Sequence, residues 1–268
     1  MSASKRKEIP VFTTPLIETH CHLDFLKEGD TASTLARARE MGVEQVVTIA
    51  VEPGNLQTVL DLIDQHDGLY GTQGVHPHSA AEYSADVGRR IQAGAAHPKV
   101  VAIGEIGLDY HYDNSPRKEQ RDAFAAQLNI ALEVDLPIVV HTRDADDDTM
   151  AIFREFSGQG LRGVIHSFTS SPELAAFCVE EGFYLGFNGI ITFNKADNVR
   201  AVLEATPLSR VLLETDAPYL TPVPFRGQEN APFYLPLVAH QVAAVKNETP
   251  EQVAMVTTAN ARALFFPN

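Results

Sequence analysis

Short runs of apolar, often β-branched residues recur along the chain, and a longer segment with helical character follows most of them. Runs that are apolar throughout, without polar alternation, are typical of strands buried on both faces of a parallel sheet. The pattern predicts eight strands, at Leu16–Glu18, Gln45–Ala50, Tyr70–Val75, Val100–Gly104, Pro137–His141, Gly163–His166, Tyr184–Phe187 and Arg210–Leu213.

Strands that alternate with helices indicate βα units with parallel pairing. Eight such units in 268 residues favour an α/β fold of the (β/α)8 TIM-barrel type, in a single domain. An open, doubly wound sheet is the alternative. The predicted helices include Thr31–Met41, Asn55–Gln65, Arg117–Glu133, Asp146–Phe156, Pro172–Glu181, Tyr234–Lys246 and Pro250–Leu264.

The chain contains no Gly-, Ser- or Pro-rich linker that would divide it into domains. We therefore predict one barrel over residues 14–268, preceded by a loose extension over residues 1–13. The Pro-rich stretch Thr221–Pro236 follows the eighth predicted strand, and we interpret it as a long functional loop.

The charge balance limits the partners of the chain. It has 35 Asp and Glu against 21 Lys and Arg, a formal net charge of −14. A broad basic face that grips duplex DNA is not expected from this balance. An acidic protein can still act on phosphates if bound cations supply the positive charge locally.

The two cysteines, Cys21 and Cys178, suggest no disulfide framework, which fits a reducing compartment. The first ten residues are polar and basic without an apolar segment after them, and no apolar run is long enough to span a bilayer. We expect a soluble, cytoplasmic protein with no membrane association and no obligate protein partner.

Histidine, glutamate and aspartate residues stand at the ends of the predicted strands. The carboxyl ends of all strands meet at one face of a barrel, so these residues become neighbours there. Imidazole and carboxylate groups together are ligands for zinc, manganese and similar divalent ions. Any one of these residues alone would more simply be structural, but their joint placement predicts a metal site made of His20, His22, Glu105, His141, His166 and Asp216.

His20 and His22 are two residues apart, so in an extended strand both point the same way and can face one metal ion. Cys21 between them must point outward, and we interpret it as a packed apolar residue. His76 and His78 are also two residues apart, but Pro77 breaks the regular strand geometry between them. Either could contact substrate, orient a neighbour or act as a ligand, and we favour His78 because it lies further into the loop.

The ordered set of motifs closely resembles the TatD family of metal-dependent deoxyribonucleases, within the amidohydrolase superfamily. The resemblance extends from about Leu16 to Leu264, and the set as a whole is highly specific. The motifs are ETHCHLD at 18–24, GVHPH at 74–78, AIGEIGLDY at 102–110, PIVVHTRDA at 137–145, GVIHSF at 163–168, LLETDAPYL at 212–220 and RGQEN at 226–230.

The resemblance implies a barrel with two divalent metal ions per chain. Mg, Mn and Zn are the candidate metals. It implies that one ion is held by His20, His22 and Asp216 and the other by His141 and His166, with Glu105 bridging the two. The sequence departs from the family pattern at Glu18, where aspartate is usual, and at Asn188, where serine is common. Neither is a predicted ligand, although Asn188 could alter substrate contacts.

These observations predict hydrolysis of phosphodiester bonds in DNA by metal-activated water, with Asp216 and Glu105 as catalytic residues. His78, Arg143 and Arg226 are candidates for phosphate contacts. The small number of Lys and Arg residues favours strand ends or single strands over duplex interiors as substrate. The resemblance to exonuclease-type enzymes agrees. The alternatives are hydrolysis of a small amide, ester or lactone, and a non-catalytic metal-binding barrel.

Overall fold

Eight parallel strands form one sheet in a computed structural model that describes residues 8–267. Each strand pairs in parallel with the next one along the chain, from the first to the eighth. The strands are β1 (Leu16–Cys21), β2 (Val43–Thr48), β3 (Leu69–Gln73), β4 (Val100–Asp109), β5 (Ile138–Arg143), β6 (Gly163–Ile165), β7 (Tyr184–Phe187) and β8 (Val211–Leu213).

Nine α-helices lie in the described residues, and they alternate with the strands as far as β8. They are α1 (Thr31–Glu40), α2 (Leu56–Gln65), α3 (Ala85–Ala95), α4 (Arg117–Val134), α5 (Asp146–Glu155), α6 (Pro172–Glu180), α7 (Asp197–Ala205), α8 (Leu235–Lys246) and α9 (Pro250–Phe265). The fold is a nearly closed, single-domain (β/α)8 TIM-type barrel, which confirms the predicted fold class.

The barrel closes where the ends of β8 and β1 meet. The backbone amide of Asp216 donates to the carbonyl of His20 at 2.9 Å, and that of His22 donates to Ala217 at 2.7 Å. The buried Glu18 carboxylate adds a side-chain link, because its Oε1 accepts from the amides of His20 and Thr215, both at 2.9 Å. The first and last strands are thus joined by hydrogen bonds close to the site residues.

The apolar faces of the strands explain the two main core clusters. The larger cluster lies between strands and helices and includes Phe124, Leu128 and Phe187. The smaller cluster joins strand residues such as Val47 and Val139 to α9. Strands that are apolar along their length bury side chains on both faces in this way.

The amino-terminal end of the described chain is partly packed. Residues 1–7 of the predicted extension lie outside the described residues. Phe12 is buried, its amide donates to the carbonyl of Met41 at 3.1 Å, and its ring packs edge-on against His240. Phe12 therefore belongs to the packed structure, while Val11 beside it is exposed.

Candidate metal centre

The structure brings the six predicted strand-end residues together at one end of the barrel, around the carboxylate of Glu105. On one side of this carboxylate, Oε2 lies 3.3 Å from His20 Nε2 and 3.9 Å from His22 Nε2. The same two nitrogens lie 3.7 and 3.5 Å from Oδ1 of Asp216. We call His20, His22 and Asp216 the first ligand set.

The other oxygen of Glu105 faces a different group of histidines. Its Oε1 lies 2.9 Å from His166 Nε2, 3.2 Å from His141 Nδ1 and 3.4 Å from His76 Nε2. We call His141 and His166 the second ligand set. Because each oxygen of Glu105 faces one set, this carboxylate is placed between them.

Strand geometry accounts for the placement of His20 and His22. Their side chains lie on the same side of the chain, as alternation requires, and their rings meet edge-on with centroids 5.1 Å apart. Cys21 is fully buried and its Sγ lies 3.5 Å from the carbonyl oxygen of Val47. The interpretation of Cys21 as a packed residue is confirmed.

The sequence pattern predicted that β4 ends at Gly104 and that Glu105 follows it. In the structure, Glu105 lies inside β4. β4 continues five residues beyond Gly104, to Asp109, with an irregular register against β5 between Ile103 and Ile106. Glu105 and Asp109 are four residues apart on one extended strand, so both side chains lie on the same face. The strand therefore supplies two carboxylates to the site.

The Asp109 carboxylate holds two histidines from behind. Its Oδ2 lies 2.9 Å from His141 Nε2 and 3.0 Å from His78 Nε2. A proton on His141 Nε2 that is donated to Asp109 leaves the Nδ1 lone pair directed toward Glu105. Carboxylates commonly orient metal-binding histidines in this way. Asp109 is not among the site residues predicted from the sequence, although its spacing of four residues from Glu105 indicates the same face of an extended strand.

Glu214 has a similar position behind His166. Its Oε1 lies 3.4 Å from His166 Nδ1 and accepts from the Ser167 amide at 2.7 Å. Asn188 donates through Nδ2 to the same oxygen at 3.2 Å and to Ser167 Oγ at 2.9 Å. Asn188 is buried. At this position, where serine is common in the family, the asparagine side chain holds the Glu214 carboxylate by a hydrogen bond.

His76 lies closer to the centre than His78, contrary to the preference from the sequence. His76 Nδ1 accepts from the His78 amide at 3.1 Å, so neutral His76 carries its proton on Nε2, which faces Glu105. Burial lowers the pKa of His76 to about 4, which keeps the ring neutral near pH 7. The position of this proton, on the nitrogen that faces Glu105, makes His76 in this tautomer a hydrogen-bond donor toward Glu105.

The sequence did not indicate that His76 lies closer to the centre than His78, because Pro77 begins a 3-10 turn directly after His76. Alternation along a strand does not apply there. The His78 side chain is about one third exposed and bonded to Asp109, and it still borders the cavity.

The carboxylates of Glu105 and Asp216 are ionised. Burial raises the pKa of Glu105, but the surrounding histidines, His166 foremost, outweigh burial and hold this pKa well below its usual range. Burial likewise raises the pKa of Asp216, and the hydrogen bond with His22 together with nearby histidine charge lowers it overall. Anionic oxygens and neutral imidazoles are the forms that bind metal ions.

The donor atoms fit a bound cation. Within residues 8–267, His20 is fully buried and neither of its ring nitrogens has a hydrogen-bond partner. Burying such a polar nitrogen without a partner is unfavourable, and a cation at Nε2 would satisfy it. Ligand atoms close enough to share an ion occur in His20, His22 and Glu105, in His20, His166 and Asp216, and in His76, Glu105 and His141.

A cavity of about 750 Å³ gives solvent access to both ligand sets. Arg143 borders this cavity, as predicted for a phosphate contact, together with Tyr112 and Tyr219. Arg226 is not among the residues that line it. The guanidinium of Arg226 lies 3.8 Å above the ring centre of Phe193 and borders a separate pocket.

A parallel barrel with this cluster of imidazoles and carboxylates at the ends of its strands has the architecture of a metal-dependent hydrolase. Comparison with known proteins makes the class specific. Residues 17–266 match the family model described as TatD related DNase. The chain belongs to the TatD family of metal-dependent hydrolases.

Individual relatives cover nearly the whole chain. The uncharacterized metal-dependent hydrolase YabD of Bacillus subtilis is 40% identical over 94% of this chain and 100% of its own length. The 3'-5' ssDNA/RNA exonuclease TatD of Citrobacter rodentium is 36% identical over 90% of this chain and 93% of its own.

Among solved structures, the TatD homologue YJJV of Escherichia coli K12 superposes with a TM-score of 0.89 at 32% identity. The alignment covers 94% of this chain and 98% of the YJJV chain. The helices within residues 8–267 lack the combination of length and apolar character that a membrane-spanning helix needs.

Proposed function

We propose that this chain is a nuclease that hydrolyses phosphodiester bonds in DNA from single-stranded or frayed ends, with two divalent ions per chain. The observation that carries the proposal is the Glu105 carboxylate, whose two oxygens face different ligand sets at the base of one open cavity. In this proposal His20, His22 and Asp216 would hold one ion, His141 and His166 would hold the other, and Glu105 would contribute to both sites.

Bound divalent ions would lower the pKa of water and offset negative charge on the phosphoryl oxygens. The chain supplies the proton acceptor. Asp216 Oδ1 lies toward His20 and His22, which leaves Oδ2 to take a proton from the attacking water as general base. The low pKa of Asp216 keeps it ionised for this role.

Two further groups would position the phosphate. Neutral His76 borders the cavity and carries its proton on Nε2, 3.4 Å from Glu105 Oε1, where a phosphoryl oxygen bound beside Glu105 would accept it. Arg143 borders the same cavity, and within residues 8–267 it forms no ion pair. A free guanidinium matches two oxygens of a phosphate.

Nucleic acid as substrate is further supported by similarity to the Citrobacter rodentium protein named as an ssDNA/RNA exonuclease. The net charge of −14 favours local attraction at the cavity over a broad grip on a duplex. We also propose a cytoplasmic location, since both Cys21 and Cys178 are free and buried.

The test uses metal-stripped protein, to which Mg²⁺, Mn²⁺ or Zn²⁺ is returned. We expect end-labelled single-stranded DNA to be shortened progressively, and covalently closed circular duplex to resist at the same nucleotide concentration and salt. A panel of small amides, esters and lactones is assayed beside the DNA, because the same site could activate water for them. Turnover of that panel without any cleavage of DNA would contradict the proposal.

A further inference from the structure

Two exposed tyrosines border the cavity. Tyr112 is 55% exposed and Tyr219 is 53% exposed, and both line the cavity above the ligand sets. Among the large apolar side chains exposed within residues 8–267, these two are the aromatic ones. Exposed aromatic rings beside a proposed nuclease centre can stack nucleobases.

The two rings adjoin opposite ligand sets. Tyr219 meets His22 of the first set edge-on, with centroids 6.2 Å apart, and Phe25 stacks on the same histidine at 5.5 Å. Tyr112 meets His78 edge-on at 5.4 Å, and His78 shares Asp109 with His141 of the second set. A phosphate held at Glu105 would therefore have one tyrosine on each side.

The two sides differ in the cations that border them. The cleft beside Phe25 and Tyr219 has a volume of about 690 Å³, and its charged lining residues are Asp24, Glu229 and Lys27. No arginine lines this cleft within residues 8–267, so it offers no bidentate partner to a phosphate. It therefore suits a terminal nucleoside that carries no further phosphates.

On the other side, the guanidinium of Arg143 lies 5.0 Å above the ring centre of Tyr112. The pocket next to the cavity holds five carboxylates, of which Asp144 bonds to His111 at 3.1 Å, Asp148 to Arg121 at 3.0 Å and Asp146 to the Ser171 amide at 2.9 Å. Asp147 and Glu173 add further negative charge there, but within residues 8–267 none of the five forms an ion pair with Arg143. Arg143 is thus available to a phosphate next to a ring that is available to a base.

We infer that Tyr219 and Tyr112 hold the bases on either side of the scissile phosphate. Tyr219, with Phe25, takes the base of the terminal nucleotide that is released. Tyr112 takes the base of the preceding nucleotide, and the rest of the strand leaves past Arg143. This inference rests on the proposed nuclease function and assigns the strand its direction across the site.

The test combines tyrosine variants with abasic substrates. The probe is a short oligodeoxythymidylate that is intact, lacks its terminal base or lacks its penultimate base, with the ends defined by the polarity that the wild-type protein shows. Binding is measured by fluorescence anisotropy with Ca²⁺, and kcat/KM with the activating metal. Tyr184→Ala is the control, because Tyr184 also lies under an arginine, Arg210 at 5.3 Å, but at the start of β7 and away from the cavity.

We expect Tyr219→Ala and Tyr112→Ala each to weaken binding of the intact strand about 10-fold, the scale of one base–aromatic stack. Tyr→Phe variants at both positions should stay near wild type, because they retain the ring. Removing the terminal base should cost the wild type about 10-fold and cost Tyr219→Ala almost nothing further. Removing the penultimate base should show the same pairing with Tyr112→Ala.

Three results would overturn the inference. If the wild type degrades DNA but each abasic change costs the variants as much as the wild type, the tyrosines do not stack bases and the nuclease function stands. If the pairing is exchanged between the two tyrosines, the direction is wrong. If the wild type cleaves no oligonucleotide with any metal, the proposed function fails and this inference fails with it.

Discussion

Replacing Asp109 by asparagine tests how the second ligand set is held. Asp109 accepts four hydrogen bonds: Oδ1 takes the amides of His111 and Tyr112, at 3.0 and 2.9 Å, and Oδ2 takes His141 and His78, at 2.9 and 3.0 Å. Asparagine keeps the size of the side chain but has only one oxygen.

The consequence for His141 follows from this count of acceptors. The two backbone amides are fixed donors and claim the asparagine oxygen, so the amide NH₂ faces the two imidazoles. His141 must then present the lone pair of Nε2 and carry its proton on Nδ1, the nitrogen that lies 3.2 Å from Glu105. A protonated nitrogen cannot bind a metal ion.

Loss of a carboxylate behind a metal-binding histidine typically weakens metal affinity 10- to 100-fold, which is about 1.4 to 2.8 kcal/mol. We expect this loss at one of two binding events when metal-stripped Asp109→Asn is titrated with Mn²⁺ or Zn²⁺ in a calorimeter. The other event should stay near wild type, because within residues 8–267 the first ligand set forms no hydrogen bond or ion pair with Asp109.

Asp144→Asn is the matched control for this experiment. Asp144 is exposed, it also bonds to a histidine, His111, and it does not touch the ligand sets. It should bind both ions as the wild type does. Two binding events of unchanged affinity in Asp109→Asn would refute the tautomer argument, and an equal loss at both events would show that Asp109 supports the whole site instead.

Three other changes give distinct outcomes. Glu105→Ala should nearly abolish turnover and lower the metal content found by elemental analysis, since one carboxylate serves both sets; wild-type rates at the same metal concentration would exclude the bridging role. Arg143→Ala should raise KM for single-stranded DNA and reduce the slope of log affinity against log salt by about one, whereas Arg226→Ala, away from the cavity, should leave both unchanged. Burial raises the pKa of Glu18 from 4.5 to about 8, so the stability that its protonated form contributes is complete below about pH 4.5 and is lost as the pH rises through 8. In a chelator, denaturant unfolding should therefore show wild-type stability falling relative to Glu18→Gln by up to about 1.4 kcal/mol per pH unit in that window, and parallel curves would contradict the shift.

Much of the barrel could be predicted from sequence because buried parallel strands are apolar along their length. All eight strands were found, and most differ from the structure only at their ends. The helices α3 and α7 were not among those named. Both are amphipathic, so the helical periodicity was present in the sequence. In α3, Gly88 and Gly94 weaken the helical pattern.

The site was predictable where side-chain direction follows from regular geometry. His20 and His22 lie as strand alternation requires, and the barrel brings the other four predicted ligands together by gathering the carboxyl-terminal parts of its strands, and the residues that follow them, at one end. The position of His76 could not be predicted from strand alternation, because the turn that begins at Pro77 sets the direction of its side chain. The role of Asp109 was not predicted, because β4 extends beyond the five-residue strand that the sequence indicated. Tyr112 lies in a loop, where only the folded chain shows its exposure.

The hydrogen bonds that close the barrel also determine when the first ligand set can exist. His20 and His22 lie near the start of the chain and Asp216 near its end, and the amides of Asp216 and His22 are among the groups that join the two regions. A growing polypeptide therefore has no complete first set until about four fifths of it has been synthesised. Contacts so distant in sequence form late in folding, so the activity should appear only after β8 has docked beside β1. A chain released before Asp216 is synthesised would carry His20 and His22 without the Asp216 carboxylate.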